Sequence, residues 1–290
     1  MAEFKRSMGL SLIKSLGKSE LFQSKLKPEI INGKVFFAIR PGYGSFYAKG
    51  RSLFTYRRRG FSSHQKFAFI PDGLKGDYIY ESQLESTRAV KNFVLGYDKI
   101  KKRAEQYADD EAIGVSALYS FSPHPENMDG RYYLVDIEIV FDAASDEENI
   151  ANERKTDRID ILLYDNQERQ LLFCEAKHYS NPEIWVGGDD IPKVINQLEK
   201  YNRQIAANND AIIEQYANAF SEYNTLMGTS LKPPRSVYDK CGLYIFGFNR
   251  QGLSRLNDIM TEKNIFYGHR CRTIGNTRSD SVEKIFKELT

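Results

Sequence analysis

The most informative stretch of the sequence, TDRIDILLYDNQERQLLFCEAKHY, runs from Thr156 to Tyr179. Its apolar runs and its polar middle predict two short strands joined by a turn. Because side chains alternate between the two faces of a strand, Glu175 and Lys177 point to the same side of the second strand. If the turn makes a hairpin, Asp160 of the first strand comes close to both of them.

The two predicted strands, 158–165 and 170–178, are apolar on both faces, since Leu162 and Phe173 share the faces that carry the charges. This pattern predicts strands that are buried on both sides of a sheet. A charge buried there is costly unless it is paired or bound to a metal ion. The alternative is an ordinary cross-strand ion pair on the protein surface.

Two carboxylates and one ammonium in a small space predict a site for a divalent cation. Oxygen ligands from Asp160 and Glu175 suit Mg²⁺, which keeps several waters and bridges to substrate phosphate, and Mn²⁺ is the expected substitute. Such a cation stabilises charge on phosphorus oxygens and lowers the pKa of a bound water. Lys177 then positions the attacking water or neutralises developing charge. The residues therefore favour phosphodiester hydrolysis.

The pattern resembles the PD-(D/E)xK nuclease superfamily, in which an acid on one strand precedes an acid-x-Lys triplet on the next. Asp160 matches the first acid, Glu175 the second and Lys177 the lysine. Ile159 stands where the proline that gives the family its name would precede Asp160. The resemblance implies that Asp160 and Glu175 are metal ligands and that all three residues are catalytic.

A second match follows on a predicted helix at 191–207, where Gln197 and Tyr201 form a Gln-x-x-x-Tyr pair. Residues four apart lie on one face of a helix. The RecB-like exonuclease branch of the superfamily carries such a pair just after its catalytic lysine. The resemblance therefore implies that Gln197 and Tyr201 line the site and bind substrate. Together the two matches span about 50 residues.

The order of predicted elements extends the resemblance to the organisation of the chain. A helix at 80–108 precedes a strand at 131–142, the two charged strands, further helices and a buried strand at 241–249. This order matches the αβββαβ core of restriction-endonuclease-like proteins, which has a mixed central sheet flanked by helices. The expected fold class is therefore α/β, with a nuclease-like domain at 79–290 and an N-terminal β-rich module at 1–78.

The N-terminal module combines cations and aromatic residues on predicted strands between 34 and 70. This composition suits contacts with single strands or with a phosphate backbone. The alternative is a small β-rich domain whose aromatic residues form its core and whose charges are solvated. The run Arg57, Arg58 and Arg59 is the clearest feature, and a hairpin tip facing solvent explains it equally well.

A third acidic metal ligand is a common addition in the superfamily. Glu81 and Glu85 lie one turn apart on the predicted helix, and Glu138 lies on the strand that precedes the charged pair of strands. Each of the three is also explained as a solvated surface acid, and the choice among them stays open.

The composition is that of a soluble globular protein, with 41% hydrophobic and 28% charged residues in a chain of 290. The formal net charge is only +2, so bulk charge does not indicate nucleic acid. The three cysteines form no CxxC pair and the four histidines show no metal-ligand spacing. No signal peptide and no apolar run of membrane-spanning length is evident, so a cytoplasmic location and no membrane partner are expected.

The expected function is a Mg²⁺-dependent nuclease that hydrolyses DNA, with a role in restriction or anti-phage defence by analogy with the family. A non-catalytic nucleic-acid-binding or assembly subunit with the same fold is the main alternative, and an RNA-directed nuclease is another because the phosphate chemistry is shared. A protein partner in a defence complex and a homo-oligomer are both compatible with the sequence. Sequence specificity, endonuclease or exonuclease action and the number of metal ions stay open.

Overall fold

The computed structural model describes residues 4–68, 78–86, 91–141, 158–185, 191–262, 271–274 and 281–290, and it describes the backbone alone at 85–86, 257–262 and 271–274. The Cα positions divide the chain into two compact units. Unit 1 comprises Met1–Lys5, Asp129–Ala217 and Lys232–Thr290, and unit 2 comprises Arg6–Met128 and Asn218–Leu231.

Unit 2 contains an antiparallel sheet whose described strands follow one another in chain order. They are β1 (Phe36–Arg40), β2 (Tyr43–Ala48), β3 (Arg51–Arg57), β4 (Gly60–His64) and β5 (Tyr78–Tyr80). Two-residue turns join the first four strands. Between β2 and β3, Lys49 and Gly50 have φ values of 46° and 73°, which is the geometry that matches the twist of a hairpin. The expected β-rich character of this region is confirmed.

Aromatic side chains of this sheet form the core of unit 2. Phe36, Phe37, Phe46, Phe54 and Phe61 are each at most 3% exposed. The rings of Phe37 and Phe46 stack with their centroids 4.8 Å apart. The interpretation in which the aromatic residues form a core is therefore confirmed for these rings, and buried rings cannot stack on the bases of a bound strand.

Helices complete unit 2. They are α1 (Leu10–Gly17), α2 (Lys27–Ile31, reached through a π-helical turn at Phe22–Leu26), α3 (Gln65–Ala68), α4 (Phe93–Glu105) and α5 (Asp110–Ser116). The continuous helix predicted at 80–108 is wrong, because the structure has a 3₁₀ helix at Glu81–Ser86 and then α4. A separate helix begins at Phe93 because Asn92 is its N-cap: the Asn92 side chain accepts a 2.8 Å hydrogen bond from the backbone amide of Leu95.

Unit 1 contains a mixed sheet in the order β11-β10-β8-β7-β6, with β9 beside β8. The strands are β6 (Tyr132–Ile139), β7 (Ile159–Asp165), β8 (Gln170–His178), β9 (Ser236–Val237), β10 (Gly242–Phe246) and β11 (Cys271–Ile274). The first three form an antiparallel meander, whereas β10 runs parallel to β8 and β11 runs parallel to β10.

The parallel pairs require crossover connections, and helices supply them. In chain order, α6 (Lys193–Ala207) and α7 (Asn209–Met227) separate β8 from β10, and α8 (Arg250–Glu262) separates β10 from β11. The last helix, α9 (Val282–Leu289), packs close to the start of β10. A Cβ on Gly242 would lie 2.8 Å from Leu289 Cδ1, so a glycine at this position permits the approach.

The structure is mixed α/β, as the sequence predicts. The finer expectation of a restriction-endonuclease-like αβββαβ core stays a prediction. The described part of unit 1 has no helix before β6, because α4 and α5 group with unit 2. Residues 79–128 likewise group with the N-terminal sheet, and the module boundary at 78/79 stays a prediction. Over the described ranges, no helix is both long and apolar enough to cross a bilayer.

Candidate active site

The hairpin predicted from the sequence is present, and Asp165 fixes its turn. Ile161 pairs with Cys174 and Asp165 pairs with Gln170 in an antiparallel register. The Asp165 carboxylate accepts hydrogen bonds of 2.9 and 3.0 Å from the backbone amides of Gln167 and Glu168. A short polar side chain that binds the backbone two and three residues ahead favours a turn at this point.

Asp160 lies one residue beyond the last described β7–β8 pair. Continuing the register by that residue sets Asp160 opposite Glu175, and residues opposite each other in an antiparallel pair share a face. The Asp160 Oδ2 atom accepts a 2.7 Å hydrogen bond from the backbone amide of Ala176. The carboxylate therefore reaches across to β8 between Glu175 and Lys177.

Glu175 and Lys177 are both buried and form an ion pair. The Lys177 Nζ atom lies 2.8 Å from Glu175 Oε1, and their side chains are 7% and 1% exposed respectively. The expected burial of β7 and β8 on both faces is confirmed for most of their residues. The alternative of a surface pair is wrong for Glu175 and Lys177, because both side chains are buried. A buried ion pair needs close geometry and further hydrogen bonds to offset the lost hydration.

A fourth charged residue, Glu183, was missed by the sequence analysis. Its Oε2 atom lies 3.1 Å from Lys177 Nζ, and its side chain is 41% exposed. Glu183 belongs to a 3₁₀ turn, Pro182–Ile184, that begins after the Asn181 side chain caps it. The signal available in the sequence was Asn181 followed by Pro182, which is a start pattern for a helical turn. That pattern predicts the turn but not the direction in which it points Glu183.

Gln197 and Tyr201 contact each other, as their spacing on α6 predicts. The Gln197 amide donates a 2.8 Å hydrogen bond to the Tyr201 hydroxyl, which donates a 2.8 Å hydrogen bond to the carbonyl oxygen of Arg158. Burial raises the pKa of Tyr201, and the negative charge of Glu175 raises it further. The tyrosine is thus a buried neighbour of the acidic residues that ties α6 to the start of β7.

Cys241, the residue before β10, is a buried thiol beside the same acidic residues. Burial raises the pKa of this thiol, and the charge of Glu175 raises it further. Its backbone amide donates a 2.7 Å hydrogen bond to the Asn202 side chain. Cys174 and Cys241 are both free, buried cysteines.

The three candidate third acids have different surroundings. Glu138 lies between the pairs Ile137–Ile161 and Ile139–Ile159, so the register sets it opposite Asp160, but its φ of 52° departs from regular strand geometry. Its carboxylate lies 3.3 Å from the Arg158 guanidinium. Glu81 belongs to unit 2, where its carboxylate accepts a 2.9 Å hydrogen bond from the backbone amide of Phe93. The Glu85 side chain lies outside the described residues.

The donor set around β7 and β8 consists of carboxylate oxygens. Among the residues whose side chains are described, no group of three or more His, Cys, Asp or Glu is arranged to hold a metal ion. Mg²⁺ does not require such a cage, because one or two carboxylates together with water and substrate phosphate are its usual ligands. The pair Asp160 and Glu175 therefore fits a hard divalent cation.

Comparisons of the chain with protein-family models, with curated proteins and with solved structures each gave no match.

Proposed function

We propose that this chain is a Mg²⁺-dependent nuclease of the PD-(D/E)xK type, with DNA as its substrate. The observation that supports this most strongly is the buried Glu175–Lys177 pair beside Asp160 on adjoining strands. The Lys177 side chain is 7% exposed and is bound to a buried glutamate, so the pair is not an ordinary solvated surface pair. Burial of such charges is costly unless they are paired. These three groups suit the hydrolysis of a phosphodiester, in which two carboxylates bind a cation and an ammonium orients the attacking water.

The proposal assigns roles to four residues of the site. Asp160 and Glu175 would hold the cation, which supplies Lewis-acid stabilisation of the phosphoryl oxygens and a water of lowered pKa. Lys177 donates hydrogen bonds from a position fixed by its buried stem, so it orients the attacking water and offsets developing charge. Tyr201 would help to position Asp160, because its hydroxyl donates a hydrogen bond to the carbonyl oxygen of Arg158, two residues earlier.

The experiment incubates the purified full chain with supercoiled plasmid, linear duplex, single-stranded DNA and RNA, in Mg²⁺, in Mn²⁺ and in EDTA. The proposal predicts cleavage of DNA with metal and none in EDTA. Asp160→Asn, Glu175→Gln and Lys177→Met are each expected to lower the rate by at least about 10²-fold, since removal of one electrostatic catalytic group typically costs 10²–10³-fold. Glu283→Gln on α9 is the matched control, because its carboxylate is 56% exposed and pairs with Lys287 alone among described residues.

Three outcomes of this experiment change the conclusion. Metal-dependent cleavage that persists in Asp160→Asn or Lys177→Met removes the assignment of the site. Preferential cleavage of RNA keeps the site and replaces the substrate. Binding of DNA by the wild type and by the three variants, without cleavage by any of them, favours the non-catalytic subunit.

A further inference from the structure

Lys177 lies between two carboxylates that come from different parts of the chain. Its Nζ atom is 2.8 Å from Glu175 Oε1 on the same strand and 3.1 Å from Glu183 Oε2 in the turn that follows. Glu175 is 1% exposed, whereas Glu183 is 41% exposed. The ammonium thus contacts two acids. The buried Glu175 is a cation ligand in the proposed function, whereas the half-exposed Glu183 has no part in it.

The position of Glu183 is fixed by the turn rather than by the ion pair alone. The Asn181 side chain accepts a 2.9 Å hydrogen bond from the Glu183 amide. The Trp185 indole donates a 2.9 Å hydrogen bond to the carbonyl oxygen of Tyr179, and Ile184 is fully buried. The Tyr179 amide in turn donates a 2.7 Å hydrogen bond to the carbonyl of Phe246 on β10. A carboxylate on a fixed backbone loses less conformational entropy when it binds a cation than one on a mobile loop does.

The two roles of Glu175 conflict. A cation bound to its carboxylate and an ammonium bound to the same carboxylate repel each other, and the repulsion is strong where water is excluded. A cation that occupies Glu175 weakens the contact of that carboxylate with the ammonium, and the loss of a carboxylate contact is costly for a buried ammonium. Glu183 offers the ammonium a second carboxylate within hydrogen-bonding distance.

We infer that Glu183 is a positioning residue, which retains the Lys177 ammonium at the site when a divalent cation occupies Glu175. The inference rests on the proposed function, because it takes Glu175 as a metal ligand. It assigns no contact between Glu183 and substrate or metal. Its consequence is that Glu183 and Lys177 are thermodynamically coupled in metal binding, even in the absence of nucleic acid.

The test is the binding of Mn²⁺ alone, without substrate, measured by isothermal titration calorimetry and by the loss of the free Mn²⁺ signal in electron paramagnetic resonance. Glu183→Gln is expected to raise the dissociation constant for Mn²⁺ by at least about fivefold, the lower end of typical coupling between two sites. Lys177→Met in the Glu183→Gln background is expected to restore binding to the level of Lys177→Met alone, since the competing ammonium is gone. Glu183→Asp, which keeps the carboxylate, is expected to bind more tightly than Glu183→Gln.

The matched control is Glu199→Gln, an exposed acid on α6 whose loss changes the net charge equally. Thermal unfolding of every variant checks that the fold is kept. Equal Mn²⁺ affinity for Glu183→Gln and the wild type overturns the inference, and so does a weakened affinity that Lys177→Met fails to restore. If Glu175→Gln also binds Mn²⁺ as the wild type does, or if the wild type binds none, the metal site of the proposed function fails as well. Loss of binding in Glu175→Gln with no effect of Glu183→Gln overturns the role of Glu183 alone.

Discussion

The Tyr201 hydroxyl donates a 2.8 Å hydrogen bond to the carbonyl oxygen of Arg158, two residues before Asp160. This contact joins the buried face of α6 to the residue that precedes β7. The described ladder between β7 and β8 ends at the pair Ile161–Cys174, whereas the ladder between β6 and β7 continues past Asp160 to the pair Ile139–Ile159. Tyr201 therefore supports the backbone at the end of β7 that carries the proposed metal ligand.

Tyr201→Phe is expected to lower the free energy of unfolding by about 1–3 kcal/mol, because the Arg158 carbonyl and the Gln197 amide each lose a partner. Metal-dependent cleavage should fall as well, since Asp160 is less firmly held. Urea denaturation and initial cleavage rates measure the two effects. Tyr107→Phe is the control, because Tyr107 is 46% exposed and should tolerate the change. Unchanged stability in Tyr201→Phe would contradict the structural role.

Several tyrosines are predicted to resist alkaline titration in the folded protein. Burial raises the pKa of Tyr97, Tyr164, Tyr201 and Tyr223 above the ordinary value of 10.0. The unfolded chain loses these protons near pH 10 and the folded chain keeps them. The contribution of these groups to stability is therefore fully present below pH 10 and declines as pH rises through their raised values.

Absorbance at 295 nm, which follows tyrosinate formation, measures this effect across the range from pH 9 upward. We expect a first phase from exposed tyrosines and a second phase that coincides with the loss of tertiary structure in near-ultraviolet circular dichroism. Titration of all eighteen tyrosines in one phase, with the tertiary signal intact, would be inconsistent with the observed burial.

Asp165 is predicted to stabilise the β7–β8 hairpin in two separable ways. One carboxylate oxygen accepts the two turn amides, and the other lies 2.7 Å from the Arg131 guanidinium. Asp165→Asn keeps an oxygen for the turn but loses the charge, whereas Asp165→Ala loses both. We expect Asp165→Ala to cost about 2–4 kcal/mol of unfolding free energy and Asp165→Asn to cost less, since hydrogen bonds to charged groups contribute about 1.5–3 kcal/mol.

Glu168→Gln is the matched control for the hairpin, because its carboxylate also approaches Arg131, at 3.7 Å, but is 61% exposed. An exposed pair of this kind contributes between about 0 and 1 kcal/mol. Equal losses in Asp165→Ala and Glu168→Gln, measured by urea denaturation, would exclude a special role for the buried carboxylate.

The hairpin and its charges are predictable from the sequence because they depend on local rules. A period of two places Glu175 and Lys177 on one face, and the polar turn brings Asp160 back towards them. The contact of Glu183 with Lys177 is not predictable in this way, since it depends on a turn that is held by Trp185 and by pairing with β10. The short strands β9 and β11 were likewise missed, because two and four residues carry too little pattern to predict a strand.

The continuous helix predicted at 80–108 is the part of the prediction that fails. The structure has a 3₁₀ helix at Glu81–Ser86 and a separate helix at Phe93–Glu105, and the Cα positions group both with unit 2. Hydrophobic periodicity identifies the buried face of a helix without identifying the sheet that covers it. Glu81 was a candidate ligand on that basis, whereas its carboxylate accepts the Phe93 amide within unit 2.

The arginine hairpin of unit 2 consists of Arg57 at the end of β3 and of Arg58 and Arg59 in the turn that leads to β4, and we predict that it contacts phosphate. The Arg57 guanidinium stacks on the Tyr43 ring at 3.9 Å, and that of Arg59 lies 5.8 Å from the Tyr80 ring. Within the described residues, no ion pair joins these three guanidinium groups to a carboxylate. A guanidinium held on an aromatic face keeps its edge N–H groups for a phosphate.

Substitution of all three arginines by serine is expected to weaken binding of DNA and to lower the dependence of the binding constant on salt. The slope of log K against log [salt] should fall by about one for each phosphate contact that is lost, so by up to about three. Fluorescence anisotropy with a labelled oligonucleotide in EDTA, from low to high KCl, separates this effect from cleavage. Lys284→Ser on the exposed face of α9 is the control for the loss of one positive charge elsewhere on the surface. An unchanged salt slope in the triple variant would show that the hairpin tip does not touch the phosphate backbone, because loss of ionic contacts cannot leave counterion release unaltered.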